Sequence, residues 1–468
     1  MIQAEFDNAG GRTANQHETT VWGTHEGFFL VIAFAKPLDI DSMRCAIDEI
    51  VQRHGALRTS FSLSEEGKLK QTIHPALEFE TEVVDLSSEV DPRQKAYEIS
   101  QAAHRNPNFL LDRLPLLKFT IFDLGNEEWA FNLIFHHMYL FFPLSPRLNL
   151  TAYNSIMDEK SLATIFYELF TLYFRGFDSL PPPKLHYSDF SDWLLRTSGS
   201  HDRLRNHQLE FWAESLKDVP TLRLTLVTPS SESLSPITHI ETVIDPHTLE
   251  RYHALLREVG VTPFSGFFAV YNVLLFKYSS QASFVVGTPA MQPSLSKLAN
   301  VVGFFTNILP IKTNIDIDQT FSQYLDAFKA DLMKSFGNGD VAYEEILSQD
   351  KDRSPFGGYF AHVFKFGGMN LSGIEQVMNA AQELTSDDIQ VQSITPLPNI
   401  GHQYEVHLTV HNETGHVALQ FDNHLLSEES ARLLLNGYAT LVGNLGRDPH
   451  IKISDASATT NQYDGLGI

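Results

Sequence analysis

The chain has 468 residues and a formal net charge of −23, from 34 Lys and Arg against 57 Asp and Glu. This acidic balance argues against a protein that binds a phosphate backbone through bulk charge, so we expect no nucleic-acid partner. Hydrophobic residues make up 43% and charged residues 19%, which excludes a disordered composition and predicts a large core. The length predicts two or more lobes, and the single cysteine, Cys45, excludes an internal disulfide framework.

The N-terminal residues carry no basic start followed by an apolar stretch, so they do not resemble a signal peptide. The longest apolar stretches, residues 27–35 and 264–276, are shorter than the roughly 20 residues that a transmembrane helix needs. We therefore expect a cytoplasmic protein with no membrane partner.

Apolar patterning predicts alternating strands and helices in the first half of the chain. In chain order they are a strand at 28–34, a helix at 40–54, strands at 57–63 and 77–84, a helix at 91–104, strands at 116–122 and 129–135, and a helix at 162–174. The last two strands are predicted to form a hairpin that turns at Gly125 and Asn126. Residues 139–154, by contrast, show neither helical nor strand periodicity.

The second half repeats a similar order without any repeat of residue identity. The predictions are helices at 202–216, 246–259, 263–278, 321–336 and 427–441, strands at 238–244, 284–287, 304–315 and 360–366, and a hairpin of residues 404–411 and 416–422. Both halves are therefore α+β. The triple proline at 181–183 predicts a boundary between domains 1–183 and 184–453, and the polar tail, 454–468, is predicted to be disordered.

The adjacent histidines His136 and His137 follow the apolar strand residues 131–135 directly. A histidine held at the end of a buried strand is well placed as a general base, because its unperturbed pKa lies near neutrality. In a chain with 20 histidines, however, such a pair is more often one buried structural histidine and one solvated one.

Further segments resemble those of condensation domains of nonribosomal peptide synthetases, in the order of that family. Residues 53–61, RHGALRTSF, are similar to its RHxxLRTxF segment, and residues 187–193, YSDFSDW, to YxDFxxW. Residues 302–312, VGFFTNILPIK, resemble IGxFxNTLPLR, and weaker likenesses lie at 339–344 and 351–356. We therefore identify the chain as a suspected member of this family.

The signature of the family is HHxxxDG, and here the sequence departs from it. Phe141 and Phe142 stand where the aspartate and the glycine are expected. The helix that follows the motif in the family starts later, near Asp158. Back-translation permits fungal-type splice signals, GTA within Met138 and Tyr139 and YAG within Asn154 and Ser155. Removing that segment joins His137 to a new isoleucine and residues 156–158, which restores HHxxxD.

We therefore predict a retained intron of a fungal-type gene, and the alternative is a genuine loop insertion in an inactive, degenerate homologue. Even after this repair, Glu159 stands where the family has glycine. Whether the chain is free-standing or a fragment of a larger synthetase stays open.

The resemblance implies two chloramphenicol-acetyltransferase-like lobes that form a V-shaped pseudo-dimer. It implies an acyltransferase that forms an amide or ester bond between a donor acyl group on a phosphopantetheine arm and an amine or hydroxyl acceptor. The partners implied are acyl or peptidyl carrier proteins, and we expect a monomer with no tightly bound cofactor and no metal.

The resemblance also assigns roles to residues. His137, with His136 beside it, supports attack by the acceptor, and Asp158 holds the catalytic loop through an arginine such as Arg58. Asn307 gives structural support near the channel. Two further residues, Ser161 and Gly303, are expected in the substrate channel itself.

Three alternatives accompany this interpretation. A non-catalytic platform that docks carrier proteins is the rival from another functional class. Plant-type BAHD acyltransferases also carry HxxxD, but their DFGWG segment is missing from this sequence. A metal site of His407, His411, His416 and Glu405 is less favoured than a solvated hairpin, because a turn lies between these residues.

Overall fold

The structure, a computed structural model, describes residues 20–63, 69–105, 107–141, 153–197, 203–226, 237–291, 298, 300–350, 359–367, 389–396, 406–423 and 425–458. The chain divides into two compact units. Unit 1 comprises Met1–Ser200, Leu295–Phe305 and Met369–Gly401, and unit 2 comprises His201–Ser294, Thr306–Gly368 and His402–Ile468. Each unit contains one main sheet with helices packed on it.

Strands and helices alternate along the chain. The strands are β1 (Thr20–Phe34), β2 (Thr59–Leu63), β3 (Leu69–Ile73), β4 (Glu82–Asp85), β5 (Leu117–Gly125), β6 (Glu128–Phe141), β7 (Tyr153–Ser155), β8 (Ile237–Val243), β9 (Ser283–Met291), β10 (Thr306–Asn314), β11 (His362–Phe366), β12 (Ile389–Pro396), β13 (Val406–Val410) and β14 (His416–Asp422). The helices are α1 (Ile40–Arg53), α2 (Pro92–Arg105), α3 (Glu159–Arg175), α4 (Tyr187–Thr197), α5 (Arg203–Ser215), α6 (Pro246–Glu258), α7 (Pro263–Ser279), α8 (Phe321–Gly337), α9 (Tyr343–Ser348) and α10 (Glu428–Arg447).

The sheet of unit 1 has the strand order β12-β1-β6-β5-β4, and β7 pairs with β6. Helices cover both of its faces. Ile50 of α1 and Phe170 of α3 share a core with Leu30 of β1, whereas Ala96 of α2 packs with Phe29 on the opposite face. Because side chains alternate along a strand, β1 supplies apolar residues to both cores and is buried on both sides.

The hairpin between β5 and β6 sets the register of the strand that carries the histidine pair. Asn126 and Glu127 both have positive φ angles, 52° and 65°. A two-residue turn of this type matches the twist of antiparallel strands. The hairpin predicted from the sequence is therefore confirmed.

Unit 2 has a sheet of order β10-β9-β11-β13-β14-β8. Its central helix is α7, whose residues 265–276 are all buried. Two tyrosine hydroxyls donate to carbonyls of this helix: Tyr252 to Gly266 at 2.8 Å and Tyr438 to Phe267 at 3.0 Å. These bonds attach α6 and α10 to the helix at the centre of the unit.

Most long predicted elements are confirmed with small shifts at their ends. The helices predicted at 40–54, 91–104, 162–174, 246–259, 263–278, 321–336 and 427–441 are α1, α2, α3, α6, α7, α8 and α10, and the closing hairpin is β13 and β14. The sequence did not predict β3, β7, α4, α9 or β12, which are short or have mixed patterns. The strand predicted at 77–84 is wrong over its first half, because only β4 pairs with β5.

The expectation that residues 139–154 lack strand structure is wrong at both ends. Residues 139–141 continue β6 opposite β1, and β7 returns antiparallel to β6. Backbone pairing with two neighbours outweighs the poor alternation of this segment.

The division into units differs from the boundary predicted after residue 183. The helix α4 belongs to unit 1, because the rings of Tyr187 and Phe190 pack on Phe305, at centroid distances of 5.3 Å and 5.1 Å. Residues from late in the chain also return to unit 1, where β12 pairs with β1.

The start of the tail that we predicted to be disordered is packed. Ala456 is only 2% exposed, and the amide of Ser454 donates to the carbonyl of Ile317 at 3.2 Å. Residues 459–468 lie outside the described residues.

Within the described ranges, no single helix has the length and apolar character needed to span a membrane. The helices α6 and α7 meet that requirement only when taken together, and they bend by 110° at the break between them.

Candidate active site

The histidine pair lies inside β6. His136 is 5% exposed, its amide donates to the carbonyl of Leu116 at 2.9 Å, and its ring meets Phe109 edge to face with centroids 6.2 Å apart. The backbone of His137 is flanked on both sides, by Thr24 of β1 and Ser155 of β7. The side chain of His137 lies outside the described atoms, but its backbone position is fixed by two neighbouring strands.

The hairpin of β6 and β7 brings the separated parts of the signature together. Ser155 pairs with His137, and paired Cα atoms in an antiparallel sheet lie about 4.5–5.5 Å apart. Ile156 and Met157 then enter the core, at 3% and 0% exposure, and Asp158 follows. The aspartate is therefore near the second histidine along the returning strand, although residues 138–157 separate the two in sequence.

Asp158 caps the N-terminus of α3. Its Oδ1 accepts from the amide of Ser161 at 3.0 Å, and its Oδ2 accepts from the amide of Phe305 at 3.0 Å. The side chain is 4% exposed, so the negative charge is buried. Backbone N–H groups and the positive end of the helix compensate for its lost hydration.

The structure contradicts the predicted pairing of Arg58 with Asp158. The guanidinium of Arg58 donates instead to three backbone carbonyls: Val51 at 3.0 Å, Gln52 at 2.9 Å and His74. Val51 and Gln52 lie in the last turn of α1, where carbonyls have no partner within the helix. Arg58 therefore closes the end of α1 against the strand residue that follows β3.

Ser161 and Gly303, which we expected in the substrate channel, form a buried contact with each other. The Ser161 hydroxyl donates to the Gly303 carbonyl at 2.7 Å, and the Gly303 amide donates back to the hydroxyl at 3.0 Å. Ser161 is 1% exposed. Gly303 has no room for a side chain, because a Cβ there would lie 2.1 Å from the ring of Tyr187.

Sequence reasoning did not assign Tyr187 to the site. Its ring covers Gly303, and burial, followed by the negative charge of Asp158, raises the pKa of its phenol, so the phenol stays neutral. The signal was present in the YxDFxxW resemblance, which starts at this tyrosine.

Glu168 of α3 was also missed. Its Oε2 accepts from Arg53 Nε at 2.9 Å and lies 2.7 Å from His54 Nε2. All three side chains are at most 9% exposed. The first two residues of the RHxxLRTxF segment thus attach α1 to the helix that Asp158 begins.

Asn307 lies in unit 2 and its amide is saturated by backbone groups. Its Nδ2 donates to Gly339 at 3.1 Å and Val341 at 2.8 Å, and its Oδ1 accepts from Ile308 at 3.0 Å and Tyr343 at 3.2 Å. The side chain therefore attaches the segment before α9 to β10.

Among the described side chains, no group of three or more His, Cys, Asp or Glu is arranged to hold a metal ion. Glu405, one ligand of the alternative metal site, lies outside the described residues. Burial, with Lys365 and His362 nearby, holds the pKa of His407 well below its usual range.

A sequence profile described as Condensation domain matches residues 25–464. The chain belongs to the condensation-domain family. Tyrocidine synthase 3 of Brevibacillus parabrevis is 26% identical over 439 residues, 91% of this chain and 6% of that protein. Surfactin synthase subunit 2 of Bacillus subtilis (strain 168) is 25% identical over 437 residues, 91% of this chain and 11% of that protein. This condensation domain thus spans a small part of the length of these relatives.

Solved structures show the same fold. The condensation domain of the monacolin K polyketide synthase MokA superimposes with a TM-score of 0.74 at 16% identity, over 92% of this chain and 93% of that one. The X-domain from teicoplanin biosynthesis gives 0.72 at 18% identity, over 93% of both chains. The predicted family and the α+β fold with two chloramphenicol-acetyltransferase-like lobes are therefore confirmed.

Proposed function

We propose that this condensation domain is an acyltransferase that forms an amide or ester bond. The donor is an acyl group bound as a thioester to the phosphopantetheine arm of an acyl or peptidyl carrier protein, and the acceptor is an amine or a hydroxyl. Condensation domains of nonribosomal peptide synthetases are acyltransferases that form peptide bonds. The observation that carries the proposal for this chain is the register that sets His137 opposite Ser155, three residues before the capping Asp158.

In this mechanism His137 acts on the acceptor. Its neutral imidazole orients the amine or hydroxyl and takes its proton as the lone pair attacks the thioester carbonyl. The carbon–sulfur bond breaks, the thiolate of the phosphopantetheine arm leaves, and the proton passes to it. His136 is part of the proposal only as the buried neighbour that fixes the strand, because its ring packs on Phe109.

Carrier proteins, a monomeric state and a cytoplasmic location belong to the same proposal. The family supports the carrier proteins and their phosphopantetheine arms. The proposed enzyme needs no tightly bound cofactor, since the thioester supplies the activated acyl group.

We also propose that the segment between His137 and Ile156 comes from a retained intron. Its two ends are register partners, so excision leaves a gap that the single new isoleucine spans. Sequencing transcripts across the codons of residues 135–161 tests this directly. A transcript that joins His137 to Ile-Ile-Met-Asp supports the intron, whereas transcripts that all keep residues 139–154 establish a genuine insertion.

A non-catalytic docking platform is the second candidate. It is favoured by Phe141 and Phe142 at the expected aspartate and glycine positions, and by Glu159 at the first position of α3. The two candidates differ in turnover.

The variant His137→Ala separates them. Purified protein is given octanoyl-coenzyme A or an acyl-N-acetylcysteamine thioester as donor and an aminoacyl-N-acetylcysteamine thioester as acceptor, and amide product is measured by mass spectrometry. Product from the parent chain and none from the variant supports the enzyme. Equal product from both, or no product from either together with unchanged binding of a carrier protein, supports the platform.

A further inference from the structure

We propose that Ser161 is a positioning residue of the condensation reaction, acting by fixing the backbone of residues 303–305 to the start of α3. This inference rests on the proposed function and assigns Ser161 a role other than lining the channel. It concerns side chains of unit 1 alone.

The contact between α3 and residues 303–305 is dense. The amide of Asp158 donates to the Gly303 carbonyl at 3.2 Å, and its carboxylate accepts from the Phe305 amide at 3.0 Å. Ser161 adds the 2.7 Å and 3.0 Å bonds to the carbonyl and amide of Gly303. A single hydroxyl oxygen thus engages both polar backbone groups of one residue, which an alanine cannot do.

The hydroxyl of Ser161 also lies 2.8 Å from Asp158 Oδ1. A hydroxyl has one proton, so it donates to the carboxylate or to the Gly303 carbonyl at any moment. The carboxylate keeps its bond from the Ser161 amide in either case. Donation to Gly303 therefore leaves Asp158 satisfied, and the cap and the backbone contact are compatible.

The same contact reaches His137 through a short, buried path. Only Ile156 and Met157 lie between Ser155, the register partner of His137, and Asp158, and both are buried. Buried residues pack closely and leave little slack, so a shift of the start of α3 moves β7. We expect loss of the Ser161 hydroxyl to displace His137 rather than to change a substrate-binding surface.

The test compares three variants in the octanoyl and aminoacyl assay: Ser161→Ala, Ser161→Thr, and Ser430→Ala as a matched control. Ser430 occupies the same position after the cap of α10 and donates to the Leu226 carbonyl at 2.6 Å in unit 2. We expect Ser161→Ala to lower kcat by about tenfold or more with KM unchanged. Ser161→Thr restores kcat because it keeps the hydroxyl, and Ser430→Ala leaves kcat unchanged.

A second measurement, independent of turnover, is hydrogen exchange of the peptide that covers residues 302–306. We expect faster exchange in Ser161→Ala than in the parent chain or in Ser430→Ala. Unchanged exchange overturns the contact even where the parent chain has no activity, so failure of the proposed function and failure of this inference are distinguished. An active parent with unchanged kcat in Ser161→Ala also overturns it. If Ser161→Ala does not fold, Ser161→Cys, a weaker donor of similar size, replaces it with the same expected direction.

Discussion

The two units contain comparable junctions between a hairpin and a helix. In unit 1 the hairpin of β5 and β6 precedes α3, and in unit 2 the hairpin of β13 and β14 precedes α10. Each helix starts with a capping side chain that accepts from the amide of a serine three residues later. Each of these serines donates its hydroxyl to a distant carbonyl, Gly303 for Ser161 and Leu226 for Ser430.

The junctions differ in length. In unit 2, Asn423 is separated from the cap Ser427 by residues 424–426 alone. In unit 1, residues 138–157 separate His137 from the cap Asp158. Excision of the proposed intron gives the junction of unit 1 the same spacing as that of unit 2. The comparison teaches that the capped start of such a helix does not require the extra segment.

The junctions also differ in chemistry. The junction of unit 2 has Asp422 and Asn423 where unit 1 has His136 and His137 in the same places after a buried phenylalanine, and Asn423 Oδ1 accepts from the Thr238 hydroxyl at 3.0 Å. The proposed catalytic histidine is thus replaced by a side chain engaged in a structural bond. The proposal places the chemistry in one junction only.

The largest expected effect tests that asymmetry. We predict that His137→Ala lowers turnover by about 10²- to 10⁴-fold, because a positioned general base is lost. Asn423→Ala in the junction of unit 2 leaves kcat unchanged. Steady-state kinetics of both variants check this, and a comparable loss of kcat in Asn423→Ala contradicts an asymmetry between the junctions.

A shortened variant sharpens the comparison of lengths. Replacing residues 138–155 by a single isoleucine makes the two junctions equal in spacing. We predict that this variant folds, keeps the cap of α3 and has a higher kcat than the chain with the segment. Circular dichroism, thermal unfolding and the product assay report these properties. A variant that does not fold shows that the β6–β7 pairing is required.

The pH dependence of stability is predicted to come from unit 2. Burial lowers the pKa of His362 to about 4 and that of His407 well below its usual range. Between pH 6.5 and 4 the unfolded chain binds protons at these histidines that the folded chain does not, so the free energy of unfolding decreases as pH falls. The contribution of His362 is on the order of 2–3 kcal/mol and is fully present above pH of about 6.5. Urea unfolding at several pH values measures it, and His362→Asn should flatten the profile.

A glycine in each unit provides a packing test. Gly303→Ala forces a methyl group against the ring of Tyr187 and should lower the free energy of unfolding by about 1–3 kcal/mol. Gly443→Ala in α10 meets its nearest atom, Thr248 Cγ2, at an ordinary 3.6 Å, so it should be neutral or raise stability by about 0.5–1 kcal/mol. Chemical denaturation of both variants is the measurement, and equal effects would show that the contact of Gly303 with Tyr187 is loose.

The smallest effect concerns the caps. Ser427→Ala removes one capping bond and should cost about 1 kcal/mol. Asp158→Ala should cost more, about 2 kcal/mol, because the amide of buried Phe305 also loses its acceptor. The difference in unfolding free energy between the two variants measures the second bond of Asp158, and equal losses would assign it no weight.

Much of this architecture was predictable from the sequence because long helices and buried strands have strong periodicity. The helices α7 and α10 and the hairpin of β5 and β6 follow from apolar spacing and turn residues. The strands β12 and β7 were not predictable, because their pairing partners, β1 and β6, are distant or interrupted in sequence. Tertiary pairing decides such segments.

At the site, the sequence identified the residues better than their contacts. Asp158, Ser161 and Gly303 were named, and the structure brings all three together. Arg58 was given the wrong partner, because a motif reports a cation but not which oxygen atoms surround it. Carbonyls at the end of α1 and after β3 are present in every sequence, so their demand for an arginine appears only in the fold.

The ion pair of Arg53, His54 and Glu168 has a consequence for evolution. A buried carboxylate that loses its cation, or a buried cation that loses its carboxylate, is strongly destabilising, so neither side is free to change alone. In an alignment of condensation domains we expect positions 53, 54 and 168 to vary together. Chains with an apolar residue at 168 should then carry apolar or small residues at 53 and 54, whether or not they retain the histidine pair.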